Sequence, residues 1–288
     1  MSVNLTPDSN SRTSLISAIH RKQGYDCILM GILNITPDSF FSNSRVTHVD
    51  KATEIATKML NNGAKWIDIG GESTRPGAKP VSVDEEISRV IPVIKQIRLR
   101  HPECMISIDT RRYEVAKLAI ECGANMINDI SGLKDEKMLD LVISSGCAVC
   151  IMHMQGEPGN MQNNPQYDDV VKEVARYLEN QAEKLIEKGH PKELIVIDPG
   201  IGFGKTHDHN LALMKATKRF KSKGYSLLWG ISRKSVIGKI TGKDSAEQRL
   251  AGTIASSVYA LNNGVDILRV HDIDEHNDLF NVLNVLNN

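Results

Sequence analysis

The sequence predicts an α/β protein, a single (β/α)8 TIM barrel with its active site at the C-terminal ends of the strands, on three observations. The first is a phrase that recurs six times: a helix-like stretch, two mostly polar residues, Gly, then a short aliphatic run ending in something polar. It reads NNGAKWIDIG from Asn61, ECGANMINDI from Glu121, SSGCAVCIMH from Ser144, EKGHPKELIVIDPG from Glu187, SKGYSLLWGIS from Ser222 and NNGVDILRVH from Asn262. The second is that each run is continuously apolar rather than alternating, as strands buried on both faces of a parallel sheet are. The third is a pair of further runs, 28–33 and 105–108, which lie between helical stretches and raise the strand count to eight. No composition shift or Pro/Gly/Ser-rich linker divides the 288 residues. One barrel is therefore favoured over an open doubly wound sheet or two domains.

Taken in chain order, residues 1–25 are polar and are expected to form a partly flexible N-terminal extension that decorates or caps the barrel bottom, with the barrel domain itself over 26–288. The Gly of each phrase falls where a helix end wants a left-handed residue. Ser82 and Glu85 make a capping-box pattern ahead of Ile87, Val90, Ile91, Ile94 and Ile97 at helical spacing. A helix over about 168–188 carries Val170, Val174, Leu178, Ala182 and Leu185 on one stripe. Segment 245–262 shows a small-residue face of Ala251, Gly252, Ala255, Ser256 and Ala260, read as a homodimer surface against the simpler reading that it packs on the barrel.

Thirty-five basic and thirty-five acidic residues cancel. Bulk electrostatics therefore ask for neither nucleic acid nor an anionic membrane, and any anion site must be local. The longest apolar stretches, such as 28–33 and 147–152, fall far short of the roughly 20 residues of a transmembrane helix. The first residues show no basic start followed by an apolar core, so the expected location is cytoplasmic. Five cysteines are too few and too irregular for a disulfide framework. Cys147 and Cys150 are spaced as CxxC, but a strand points i and i+3 to opposite faces, which favours buried structural thiols over a redox or zinc site.

In a barrel the residues just after each strand converge on one face. Here they are Asn34, Glu72 with the residues through Arg75, Asp109, Asn128, Asp129, His153, Asp198, Arg233, Lys234, Arg269 and His271. Any single Asp in such a place is as readily a helix cap. So many polar groups at one mouth indicate a polar small-molecule site. Asp109, Asn128 and Asp198 are acceptors suited to an edge rich in N–H donors, whereas Arg75, Lys234, Arg269 and His271 are donors suited to phosphate or carboxylate. A ligand with a base-like head and an anionic tail satisfies both sets. PGIGFGKT from Pro199 misses a Walker loop because Pro199 stands where the first Gly is required. His153 reads more as a satisfied strand-end histidine than as a pocket residue. A Mg²⁺ held mainly by substrate phosphates needs only one protein oxygen.

MGILNITPDSF from Met30, DIGGESTRPGA from Asp68, ISIDT from Ile106, MINDISG from Met126, IDPGIGFGK from Ile197, GISRKSVIG from Gly230 and RVHD from Arg269 closely resemble the dihydropteroate synthase family, in order, from about residue 28 to the C-terminus. The resemblance implies condensation of a hydroxymethyl-dihydropterin diphosphate with 4-aminobenzoate, giving dihydropteroate and diphosphate in folate biosynthesis. It implies that Asp109, Asn128, Asp198 and Lys234 hold the pterin, with Asp109, Asp198 and Lys234 catalytic. It further implies that Asn34 binds Mg²⁺, that Thr74, Arg269 and His271 contact the diphosphate, and that Phe40, Arg75, Pro76 and Ser235 line the 4-aminobenzoate pocket. The family is usually dimeric, and the loops 36–45 and 72–79 are those that close over its site.

Two departures from the family pattern stand out. Phe41, Ser42, Asn43, Ser44 and Arg45 replace the usual Ser, Asp and Gly pair, and Arg111, Arg112 and Tyr113 replace Ser/Thr, Lys and Pro. The two arginines are expected to be solvated surface rather than substrate-steering charge. A pterin-binding methyltransferase on the same barrel would share Asp109, Asn128 and Asp198, but it would not need the donors of 232–235 and of the ESTRPGA loop. An inactive paralogue acting as a pterin sink is the non-enzymatic alternative.

Overall fold

A computed structural model describes residues 9–21, 27–36, 45–73 and 80–287. Eight parallel strands, β1 (Ile28–Asn34), β2 (Trp66–Gly70), β3 (Met105–Asp109), β4 (Met126–Asp129), β5 (Ala148–Met152), β6 (Ile195–Asp198), β7 (Ser226–Trp229) and β8 (Ile267–Val270), close into a barrel in sequence order. The helices are α1 (Ser9–Ile19), α2 (Arg45–Asn61), α3 (Val83–Arg100), α4 (Tyr113–Glu121), α5 (Glu136–Ser145), α6 (Val170–Glu187), α7 (His207–Lys215), α8 (Thr217–Lys221), α9 (Ser235–Thr241), α10 (Leu250–Asn262) and α11 (Ile273–Asn287). None among the described residues is long and apolar enough to cross a membrane. The repeated phrase is thus a βα unit, and its Gly is the turn into each strand. Gly63, Gly123, Gly146, Gly189, Gly224 and Gly264 all have φ between 62 and 102°, a region in which a side chain is strained.

Strand alternation sorts the buried residues into two cores. Leu29, Ile67, Ile106, Ile127, Val149, Ile197, Leu227 and Leu268 face outward and pack under the helices, with the Val174, Leu178, Ala182 and Leu185 stripe of α6 among their partners. Met30, Trp66, Met105, Met126, Cys150, Val196, Leu228 and Ile267 face inward. Leu15, Ala18 and Ile19 of α1 join this inner core. Trp66 Nε1 donates to the Ala18 carbonyl at 2.7 Å, and His20 reaches the Glu193 carbonyl and Ser226 Oγ, each at 2.9 Å. These partners lie at strand starts, so α1 plugs the N-terminal end and leaves the other end for chemistry.

Two local expectations are refined. Ser82 caps α3 by accepting from Glu85 N at 3.1 Å, but the Glu85 carboxylate pairs with Arg89 instead of returning to Ser82, so half of the capping box forms. Cys147 belongs to the outer core and Cys150 to the inner one, which rules out a CxxC pair. Burial raises both thiols, Cys147 to about 11, so they are inert packing groups.

Candidate active site

Moving two residues up a strand keeps the same facing and climbs one layer of the barrel interior. Trp66 is followed by Asp68 and Gly70, Met105 by Ser107 and Asp109, Met126 by Asn128, Val196 by Asp198, and Ile267 by Arg269 and His271. The interior therefore turns from apolar to polar along its axis. Asp109, Asn128, Asp198 and Arg269 share the C-terminal half, and the glycines between them keep it open. A Cβ on Gly70 would lie 3.5 Å from both Asn34 Oδ1 and Asp109 Cβ, and one on Gly230 would lie 3.9 Å from Asp198 Oδ2.

Arg269 is the hub of this layer. Its Nε bonds Asp68 Oδ2 at 2.5 Å and its Nη2 bonds Asp109 Oδ2 at 2.6 Å. Asn128 Nδ2 donates to the Asp68 carboxylate at 3.3 Å. The sequence reading separated acceptors from donors, whereas here the main donor already engages an acceptor. Burial pushes the Asp109 carboxyl up to about 7 and neighbouring Asp68 adds to this, while Arg269 opposes it. For Arg269 burial acts to lower the pKa, but Asp68 and Asp109 outweigh it and hold the guanidinium charged. Asp68 escaped the sequence reading because it lies inside the run WIDIG rather than after it. The signal was available: a fully buried carboxylate in a continuous apolar strand demands a partner.

Asp198 closes β6, where its Oδ1 accepts Gly200 N at 2.8 Å. Burial raises its pKa, with Lys234 the leading opposing influence. Lys234 lies over the Phe203 ring at 4.3 Å and donates to the Ile201 carbonyl. Burial lowers the Lys234 ammonium to about 8, against the pull of Asp198. His271 Nδ1 lies 2.9 Å from Ser232 Oγ, which also accepts His271 N at 3.2 Å. Between Ser232 and Lys234, Arg233 adopts φ 57° and turns its guanidinium to Asp272, with Nε to Oδ2 at 2.9 Å. This pair joins the loops after β7 and β8 without entering the pocket.

Other strand-end residues serve the scaffold. Asp129 accepts from Ser131 N and Oγ at 2.7 Å and from Leu133 N at 2.8 Å, so it caps a turn. Burial lowers His153 to about 3, and the neutral ring sits edge-on to Tyr177 at 5.1 Å. Arg111 and Arg112 are not solvated surface. Both pair with Glu72, at 3.3 and 3.1 Å, and Arg112 also engages Glu86, whose side chain is 1% exposed and needs a cation. Phe40, Thr74, Arg75 and Pro76 lie outside the described residues. Of the residues expected around 4-aminobenzoate, Ser235 is described, at the start of α9 in a cleft of about 260 Å³ with Gln162, Gly202, His207 and Lys239.

The family model of the pterin binding enzymes matches residues 30–271. The dihydropteroate synthase of Escherichia coli K12 is 45% identical over 247 residues, covering 86% of this chain and 87% of that protein. The Xanthomonas albilineans dihydropteroate synthase solved with 4-aminobenzoic acid superposes with a TM-score of 0.84 at 40% identity, over 91% of this chain and 94% of that one. The Yersinia pestis dihydropteroate synthase in a sulfonamide drug complex has a TM-score of 0.84 at 38% identity, over 92% and 96% of the two chains.

Proposed function

The chain belongs to the pterin-binding enzyme family, and from that premise we propose that it carries out the dihydropteroate synthase reaction of folate biosynthesis. It joins (7,8-dihydropterin-6-yl)methyl diphosphate to 4-aminobenzoate, giving 7,8-dihydropteroate and diphosphate. The observation that carries this reading is the layer of Asp109, Asn128 and Asp198 facing Arg269 and Lys234 at the open end of the barrel. Buried carboxylates match a pterin edge rich in N–H groups, and the cations beside them match an anionic tail.

The chemistry asks for charge and position more than for acids and bases. As the bond from the pterin methylene to the diphosphate oxygen breaks, its electron pair leaves with diphosphate and the pterin becomes electron-deficient. Asp109 and Asp198 favour that cation, while Arg269 and His271 receive the leaving charge. The neutral aromatic amine forms the new C–N bond and then releases a proton to solvent. Holding the amine in line supplies the positional part of the rate. Asn34 ends β1 with its amide oxygen beside the Asp109 side of the rim, a neutral oxygen that fits a hard cation otherwise held by diphosphate and water. When bound there, Mg²⁺ adds positive charge against the leaving group.

The same reading gives Thr74 to the diphosphate, Phe40, Arg75, Pro76 and Ser235 to the benzoate, and a cytoplasmic location. It also gives a homodimer on the C-terminal helices: Gly252, Ala255 and Ser256 border a trough between α7, α9 and α10 in which Ile240 is 53% and Tyr259 41% exposed, whereas Ala260, expected on the same face, is buried in the barrel's outer core. A sulfonamide copies the benzoate's ring, amine and paired oxygens, and it discriminates this function from methyl transfer. Calorimetry should show it binding in the presence of Mg²⁺ and diphosphate, and more weakly without them. Failure to bind in both conditions, with pterin still bound, would contradict the synthase reading.

A further inference from the structure

Lys205 is 2% exposed, yet among the described residues no carboxylate stands within ion-pair distance of its ammonium. Its Nζ contacts are the Phe203 carbonyl at 2.8 Å, the His153 carbonyl at 3.1 Å and His153 Nδ1 at 3.1 Å. Its direct partners are neutral and only the more distant Asp198 favours the charge, so burying the cation is costly, and an apolar side chain of the same length would fill the volume at less expense. The contacts show what the cation achieves. They tie the end of β5 to the loop that follows Asp198.

That loop is held through its backbone along its whole length. Four successive carbonyls each accept a side-chain donor from a different place: Ile201 from Lys234, Gly202 from Gln162 at 2.7 Å, Phe203 from Lys205, and Gly204 from the Tyr167 hydroxyl at 2.8 Å. It also lies flat on the end of β5. A Cβ on Gly200 would stand 2.0 Å from the His153 carbonyl oxygen, and one on Gly204 would stand 2.3 Å from that of Gln155. The loop begins on Asp198 Oδ1 and carries the Phe203 ring over which Lys234 lies. Its placement therefore sets the two groups given above to the pterin.

We propose that Lys205 and Tyr167 are positioning residues for pterin recognition: by holding the Phe203 and Gly204 carbonyls, they fix the loop that orients Asp198, Phe203 and Lys234. The proposal rests on the reading that Asp198 and Lys234 hold the pterin. Burial lowers Lys205 to about 7. The amine still has two N–H groups for the two carbonyls, and its lone pair can accept from His153, so the tie survives either protonation state.

The test uses the full chain with Lys205→Met, which keeps the volume, and Tyr167→Phe, which keeps the ring. Affinity for 6-hydroxymethylpterin is measured by calorimetry, and KM for each substrate by turnover, alongside thermal melting. Lys205→Met should weaken pterin binding about tenfold or more and Tyr167→Phe about threefold, with the 4-aminobenzoate KM, whose cleft the same loop borders, rising by a clearly smaller factor. A folded Lys205→Met protein whose pterin affinity is unchanged would overturn the proposal, as would equal losses for both substrates, the mark of a merely structural role. If Lys205→Met does not fold, Tyr167→Phe decides, and an unchanged pterin affinity there overturns the proposal. Wild-type protein that binds no pterin would instead overturn the underlying functional reading and the proposal with it.

Discussion

Asp68 and Asp109 share one guanidinium, and this arrangement explains why two carboxylates can be kept at the heart of a barrel. Arg269 bonds both, at 2.5 and 2.6 Å, so that each side of the cluster offsets the other's loss of water. Asp198 feels Arg269 but makes no direct bond to that triad, so it gives the cleaner experiment. Asp198→Asn leaves an oxygen to accept Gly200 N but offers an N–H where the ligand also has one. Pterin affinity measured by calorimetry should fall by at least about tenfold, the equivalent of roughly 1.5 to 3 kcal/mol for a bond to a charged group. Unchanged affinity would make Asp198 only the cap of its own loop. Asp109, Asn128 and Asp198 were legible in the sequence because each ends an apolar run. Asp68 and Lys205 were not, the first because it lies inside a run and the second because two of its three contacts come from His153, at the end of another strand.

At the scale of elements, the strands were the most legible part, since each repeated Gly marks a left-handed turn immediately before a run that must be buried on both faces. Helix α6 was equally plain, its apolar stripe recurring every three or four residues. The role of α1 was harder to read. SNSRTSLISAI is a largely polar helix, and Leu15, Ala18 and Ile19 make too short a stripe to reveal that they close the inner core. Because Ile19 is fully buried there, Ile19→Ala should cost about 2 to 5 kcal/mol in a urea titration with an unchanged slope. A midpoint equal to wild type would mean that α1 decorates the barrel rather than plugging it.

For the whole molecule, the plug and the polar layer set a direction. One end of the barrel is closed by apolar packing, the other is opened by glycines and charged groups, and chemistry is confined to the second. The trough between α7, α9 and α10 is lined by helix side chains and includes none of Asp109, Asn128, Asp198, Lys234 or Arg269, so a second copy can cover it without touching those groups. Sedimentation at micromolar concentration should accordingly give about twice the chain mass of 31.9 kDa, and a species of one chain mass would reject the dimer. The central claim, that this open end condenses a pterin diphosphate with an aromatic amine, is tested most directly by turnover. Purified protein is incubated with (7,8-dihydropterin-6-yl)methyl diphosphate, 4-aminobenzoate and Mg²⁺, and both diphosphate and dihydropteroate are followed by mass spectrometry. The account predicts that the two products appear in equal amounts and only when both substrates are present. Diphosphate release that does not require 4-aminobenzoate, or no product from protein that binds both substrates, would contradict it.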